Sequence, residues 1–235
     1  MQGAIGFHEA RAHVERVRRR LGDKAAHELA FWLQWRAGRG ARPPPPLGFR
    51  WLVEDHFGVS VGSLSGRRIL DVGCGPTDSL AWLTRAAERI GLDPLATEYR
   101  SLGIDETAMT YVDAGAEAMP FPDRHFDLIT AFDSLDHVDD LERTVAEIQR
   151  VAAPGARLLI VTDVLHTPTP AGPIGLDWDV VKGFEPGFAT VSEHHFERTE
   201  GVHASIRARR PYDHADPRAR PGVLSALLVK LPRGP

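Results

Sequence analysis

Apolar positions in the first part of the chain fall on a helical period. Val14, Val17, Leu21, Leu29, Trp32 and Leu33 recur at helical spacings between residues 8 and 37, and Gly22-Asp23 interrupts them. The pattern predicts two helices. Residues 38–46 then read GRGARPPPP, and four consecutive prolines lack backbone donors and fix φ. A stiff connector is therefore expected between a helical cap, residues 1–46, and a second unit, residues 47–235.

Past a short helical stretch at 49–57 the apolar runs shorten. Strands are predicted at 67–72 (RRILDV), in a run ending at Leu92, at 109–112, at 126–131 and at 156–161 (ARLLIV). Helical patterns at 80–90, 97–102 and 139–151 fall between them, the last stopped by Ala153-Pro154-Gly155. This alternation predicts an α/β fold, an open parallel sheet covered on both faces. The tail differs. Extended runs at 202–209 and 223–230 predict an antiparallel pair at a sheet edge, and Thr190 with Glu193 three residues on predicts a short capped helix. Ahead of it lies a Pro/Gly-rich loop, 166–187, of a length that suits a lid or binding loop.

Composition narrows the function. With 28 Lys and Arg against 32 Asp and Glu, the net charge of −4 supplies no excess positive field for nucleic acid. No apolar run reaches the ~18 residues of a membrane span, and the first residues lack a leader pattern. One cysteine, Cys74, allows neither an internal disulfide nor a thiolate cage, so a cytoplasmic protein is expected.

The most informative stretch is Ile69-Leu-Asp-Val-Gly73-Cys-Gly75-Pro-Thr-Asp78, where two glycines end an apolar strand and permit close approach of a ligand to the backbone. A dinucleotide fingerprint would place glycine at position 78. Asp78 stands there instead and would repel a pyrophosphate, and no Gly-Lys-Ser/Thr follows to make a Walker loop. The turn suits a nucleoside without phosphates. Asp93, 20 residues after Gly73, has the spacing of an acid that accepts from a ribose diol, or else caps the Asp-Pro turn at Pro94.

With the stretches ILDVGCGPTDSL, IGLDPLATEY, GAEAMPFPDRHFDLITAFDSLDHVDDL and EIQRVAAPGARLLIV, the chain from about residue 67 to 230 resembles the class I S-adenosylmethionine-dependent methyltransferases. The resemblance implies a Rossmann-like sheet of seven strands, mostly parallel, with a C-terminal antiparallel hairpin. It implies S-adenosyl-L-methionine as donor and S-adenosyl-L-homocysteine as product. The cofactor-binding residues it implies are Asp71, Gly73, Cys74 and Gly75 around the methionine part, Asp93 and Pro94 at the ribose, and Gly115, Ala116 and Glu117 beside the adenine, with Asp133 near the acceptor. Two positions depart from the family's pattern: Thr77 replaces a third glycine, and Gly115 stands where aspartate is common, leaving adenine to the Ala116 backbone, Met119 and Asp113. Glu28–Trp35 (ExxFWxxW) and DPLATEY at 93–99 resemble a bacterial branch with a helical cap that acts on small molecules.

The catalytic candidates are His137 and Asp133, in the segment Ala131-Phe-Asp-Ser-Leu-Asp-His137 at the C-terminal edge of the sheet. A neutral His137 has a free ring nitrogen to serve as base, and its plain alternative is a structural hydrogen bond. Asp133 can bind an acceptor hydroxyl or the cofactor's amino group, and Asp136 can orient His137; either can instead be a solvated turn carboxylate. His166 and one of His194 and His195, adjacent on the predicted helix, are candidates for the acceptor pocket, as are Trp32, Trp35, Trp51 and Trp178. Asp136, His137, Asp163 and His166 offer ligands for a metal, but they form no compact metal motif, so none is expected. The expected function is methyl transfer to oxygen or nitrogen of a small-molecule acceptor. Its alternatives are a non-catalytic nucleoside-binding module and an NAD-dependent oxidoreductase.

Overall fold

The computed structural model describes residues 7–38, 49–102, 104 and 108–232. Two helices, α1 (Phe7–Leu21) and α2 (Asp23–Ala37), precede the sheet, joined at Gly22, whose φ of +91° turns the chain. Most of the expected connector and the boundary at residue 46 lie outside the described residues. Seven strands follow: β1 (Arg68–Val72), β2 (Glu88–Leu92), β3 (Thr110–Val112), β4 (Phe126–Phe132), β5 (Ala152–Val164), β6 (Phe188–Glu197) and β7 (Gly222–Lys230). They lie in the order β3-β2-β1-β4-β5-β7-β6, the first five parallel and β7 antiparallel to both neighbours. The expected seven-stranded, mostly parallel Rossmann-like sheet is present.

Period-2 alternation sorts the strands' side chains onto two cores. Leu70, Val72, Ile129, Ala131, Leu158 and Ile160 join one, against Val145, Ile148 and Val151 of helix α4 (Leu141–Val151). Ile69, Leu128, Leu159 and Val161 face the other, with Leu52, Val53, Val202 and Ile206. Asp140 caps α4 by accepting from the Arg143 N–H at 3.0 Å. The first two helices dock on helix α3 (Ala96–Tyr99), where Val17, Ala25 and Leu29 pack against Leu95, Tyr99 and Leu102. Glu98 adds ion pairs with His13 and with Arg20, the latter at 2.6 Å.

Three expected elements are different. Residues 80–90 form no α-helix. Ala81, Leu83 and Ala86 each donate to the carbonyl three residues back, and the Trp82 indole occupies the Ser79 carbonyl that an α-helix would give to Leu83. Consequently Thr77 and Asp78 cap no helix; Thr77 Oγ1 donates to the Cys74 carbonyl at 3.0 Å. The supposed helix at Thr190 is strand β6. Its residues pair with β7, and the Thr190–Glu193 pair is spent in that ladder. Conversely, residues 202–208 form helix α5 (Val202–Ala208), because Val202, Ser205 and Ile206 are spaced three and four apart and are the residues it buries. The antiparallel partner of β7 at the edge is thus β6.

Candidate functional site

The order β2-β1-β4 makes the C-terminal end of β1 the switch point of the sheet, where open α/β folds form their ligand crevice. Gly73 and Gly75 follow it with φ of +70° and +54°, a region closed to most side chains. Gly73 also needs its bare Cα for contact, since a Cβ there would overlap Ser134 at the end of β4. Asp78 takes the left-handed conformation too, at φ +47°, where a dinucleotide fingerprint has its last glycine. Aspartate tolerates this region. The Tyr111 hydroxyl holds it there, donating to Asp78 Oδ1 at 2.7 Å and accepting from its N–H at 3.0 Å.

Two buried carboxyls organise the turn. Asp71 accepts from Ser79 Oγ and, at 2.6 Å, from Thr130 Oγ1, fastening the turn to β4; burial nevertheless raises it to about 6. Asp93, at the end of β2, accepts from the N–H groups of Gly75 at 3.1 Å and Leu95 at 2.9 Å. Burial lifts it also to about 6, against the pull of these two bonds and of the Tyr99 side chain, so it is mostly ionised at neutral pH. Pro94 beside it is exposed. Cys74 is buried against Gly91, where a Cβ would lie 2.6 Å from its Sγ, and burial raises the thiol, so it packs and does not ionise.

The segment after β3 is divided in its tasks. Ala116 and Met119 are buried, whereas Asp113 is exposed. Glu117 Oε1 accepts from the Asp139 and Asp140 N–H groups at 2.5 and 3.2 Å, tying this segment to the start of α4. Gly115 leaves room for that carboxylate, since a Cβ there would lie 2.7 Å from Glu117 Oε2.

At the end of β4 Asp133 has φ +57° and is exposed to solvent. The surrounding protein, with Asp163 and Asp136 nearby, pushes its carboxyl up to about 7, against the pull of His137 and Arg198. His137 stands between two carboxylates, with Nδ1 3.3 Å from Glu28 Oε2 and Nε2 3.6 Å from Asp136 Oδ2. Burial opposes its charge, but Glu28, Asp136 and Asp133 overcome burial and raise it to about 9. The free neutral ring nitrogen expected of a base is therefore absent at neutral pH. In this geometry His137 is a cation, and Asp133 is the group that titrates near neutrality.

Asp136 links this edge to the loop that follows β5. Its Oδ2 lies 3.4 Å from His166 Nε2, and its carbonyl accepts from the Ile174 N–H at 3.2 Å. Asp163 is held by Arg198 in a two-pronged pair at 2.6 and 2.7 Å. Among the described residues no group of three or more His, Cys, Asp or Glu could hold a metal ion.

Other candidates lie elsewhere. His194 and His195 sit on a strand and point to opposite faces, not 100° apart as on a helix. His194 neighbours His56, whereas His195 stacks under Trp178 at 4.1 Å and meets His214. Trp51 lies under Arg207. Trp32 comes to the turn itself, for a Cβ at Gly75 would be 2.8 Å from its ring. The sequence pattern ExxFWxxW marked Glu28 but carried no sign that it reaches His137, and nothing local marked Arg36. Arg36 lines a crevice with Trp32, Trp35, Pro76 and Leu102, and its Nη1 is buried without a hydrogen-bond partner among the described residues. The turn thus brings together two left-handed glycines, packed by Ser134 and Trp32, a buried acid bound to the turn's backbone, and a guanidinium nitrogen buried without a partner among the described residues.

Comparison with known proteins agrees. A family model described as a methyltransferase domain matches residues 70–160. A ubiquinone/menaquinone biosynthesis C-methyltransferase of Psychromonas ingrahamii is 37% identical over 111 residues, 43% of this chain and 44% of the relative. The chain thus spans under half the length of that curated relative. Two solved structures share the fold at low identity. A Haemonchus contortus phosphoethanolamine N-methyltransferase in complex with phosphomonomethylethanolamine and S-adenosylhomocysteine has a TM-score of 0.61 at 16% identity, covering 94% of this chain and 60% of that one. The [4+2]-cyclase SpnF has a TM-score of 0.56 at 20% identity, covering 87% and 93%. The strand order, the glycine turn and the acid that ends β2 accompany this match to a methyltransferase domain, which covers residues 70–160, less than half of the chain.

Proposed function

We propose that the protein transfers a methyl group from S-adenosyl-L-methionine to an oxygen or nitrogen atom of a small-molecule acceptor. The observation that carries this reading is Asp133, a carboxyl raised to about 7 at the sheet edge, one strand from the glycine turn. A base whose pKa matches the working pH is best placed to take a proton from a hydroxyl or a protonated amine.

When bound, the donor supplies an electrophilic sulfonium methyl group. Gly73 and Gly75 receive its amino-acid part on bare backbone, and Asp93 accepts from the ribose hydroxyls. The Ala116 backbone and Met119 flank the adenine, with Gly115 where a larger residue is common in the family. Asp133 orients the acceptor and takes its proton as the new bond forms. His137, held as a cation by Glu28 and Asp136, keeps Asp133 partly ionised and fixes the edge. The cap helices α1 and α2 and the loop 166–187 enclose a compact acceptor and exclude water, which strengthens each of these interactions.

The test is release of S-adenosylhomocysteine with a panel of hydroxyl, phenol and amine acceptors. The panel includes an activated aromatic carbon, because the curated relative is named a C-methyltransferase. Release that depends on an oxygen or nitrogen acceptor supports the proposal. Donor binding without transfer to any acceptor favours the nucleoside-binding module, and turnover with NADH favours an oxidoreductase. SpnF, a cyclase on this fold, is the reason the acceptor must be tested and not assumed.

A further inference from the structure

Lys24, Glu28, Trp32 and Arg36 follow one another at intervals of four on α2 and therefore share one face of the helix. That face lies along the crevice. Lys24 Nζ donates to the His137 carbonyl at 2.7 Å, Glu28 reaches the His137 ring at 3.3 Å, Trp32 covers Gly75, and Arg36 comes to Pro76 of the glycine turn. The first three have partners: Glu28, for example, also accepts from the Trp32 indole at 2.7 Å. Arg36 differs, because its Nη1 is buried with no hydrogen-bond partner among the described residues.

A buried, unsatisfied guanidinium nitrogen is costly, and a guanidinium does not shed its charge to relieve the burial. The arrangement therefore calls for an anion. Trp32 and Trp35 line the crevice beside Arg36, and against their apolar surface a hydrogen bond from Arg36 to an anion is strengthened. The donor proposed above carries one anionic group, the α-carboxylate of its methionine part, which belongs at the glycine turn.

We propose that Arg36 binds this carboxylate, making the cap helix part of the donor site and not only a cover for the acceptor. The assignment rests on the proposed donor. It gives the cap a task in the first binding step: the donor's tail bridges α2 and the glycine turn and draws them together.

The test is calorimetry on the full chain, wild type, Arg36→Gln and Arg36→Lys, with three ligands: S-adenosylhomocysteine, its decarboxylated analogue and 5′-methylthioadenosine, which lacks the amino-acid tail. Loss of a charged hydrogen bond predicts that Arg36→Gln binds S-adenosylhomocysteine about ten- to hundredfold more weakly. It should bind 5′-methylthioadenosine within about twofold of wild type, and Arg36→Lys should recover part of the loss. Removing the carboxylate from the ligand should weaken binding to wild type but not to Arg36→Gln, the signature of a direct pair. Unchanged S-adenosylhomocysteine affinity in Arg36→Gln overturns the assignment, as does an equal loss for all three ligands. Wild type that does not distinguish S-adenosylhomocysteine from its decarboxylated analogue overturns it without any variant. Wild type that binds none of the three overturns the donor reading itself, and the assignment with it.

Discussion

Glu28 Oε2 on the cap helix lies 3.3 Å from His137 Nδ1 at the sheet edge, and this contact joins the N-terminal helices to the site through one imidazolium. The Asp136 carboxylate on the other side of the ring completes the arrangement. His137 is raised from 6.5 to about 9, so its charged form stabilises the folded chain.

A pH dependence follows with a definite sign. A group whose folded pKa exceeds its unfolded value contributes fully below the unfolded value and loses that contribution as pH rises through the folded one. The His137 contribution is thus complete below about pH 6.5 and disappears as pH approaches 9. The ring is partly exposed, so solvent screening keeps the effect modest. Thermal unfolding between pH 6 and 10 should show the decline in wild type and a flatter curve in Glu28→Gln, and NMR titration of the ring should show its pKa fall in that variant.

Asp133→Asn keeps a residue type that tolerates the observed φ of +57° while removing the proposed base. Turnover should fall at least ~100-fold, with S-adenosylhomocysteine affinity within about threefold. The wild-type rate should rise with pH through about 7, as the carboxylate forms, and the variant should lose that limb. Steady-state kinetics with any acceptor found by screening checks both. A variant with wild-type kinetics removes Asp133 from the chemistry.

Gly73→Ala combines a positive φ with overlap on Ser134, so denaturant unfolding should show a loss of roughly 2–4 kcal/mol. Gly155→Ala is the control. It has a similar φ, +77°, but nothing within 4 Å of the added Cβ, and should lose only about 1 kcal/mol.

Tyr111→Phe removes both hydrogen bonds that hold Asp78 left-handed, and leaves a buried carboxylate short of a donor. A loss of about 1–3 kcal/mol is expected in the same assay, together with weaker donor binding as the turn relaxes.

Much of this architecture is legible in the sequence, for physical reasons that particular residues illustrate. Buried central strands such as Ile69–Val72, apart from Asp71, and Leu158–Val161 send apolar residues to both faces, and their runs read clearly. The edge strand β6 buries only Phe188 and Phe196, one near each end, so its alternation was too sparse to outweigh a chance capping pair. Helix α5 is seven residues long, and Val202, Ser205 and Ile206 could as well be an interrupted extended run. The turns at 80–87 bury Leu80 and Leu83 at a spacing shared by 3₁₀ turns and α-helices, which sequence periodicity does not separate.

Within the site, the placement of the glycine turn and of Asp93 beside it is legible because both lie in the short stretch from β1 to the end of β2. The charge on His137 could not. It depends on Glu28, more than a hundred residues earlier, and on burial, neither of which local sequence contains.

The most direct test of the account is calorimetry of the full chain with S-adenosylhomocysteine, wild type beside Asp93→Ala, with NADH as control. The account predicts micromolar binding to wild type, at least tenfold weaker binding to Asp93→Ala, and none of NADH. Binding of NADH alone, or equal affinity of both proteins for S-adenosylhomocysteine, would contradict it.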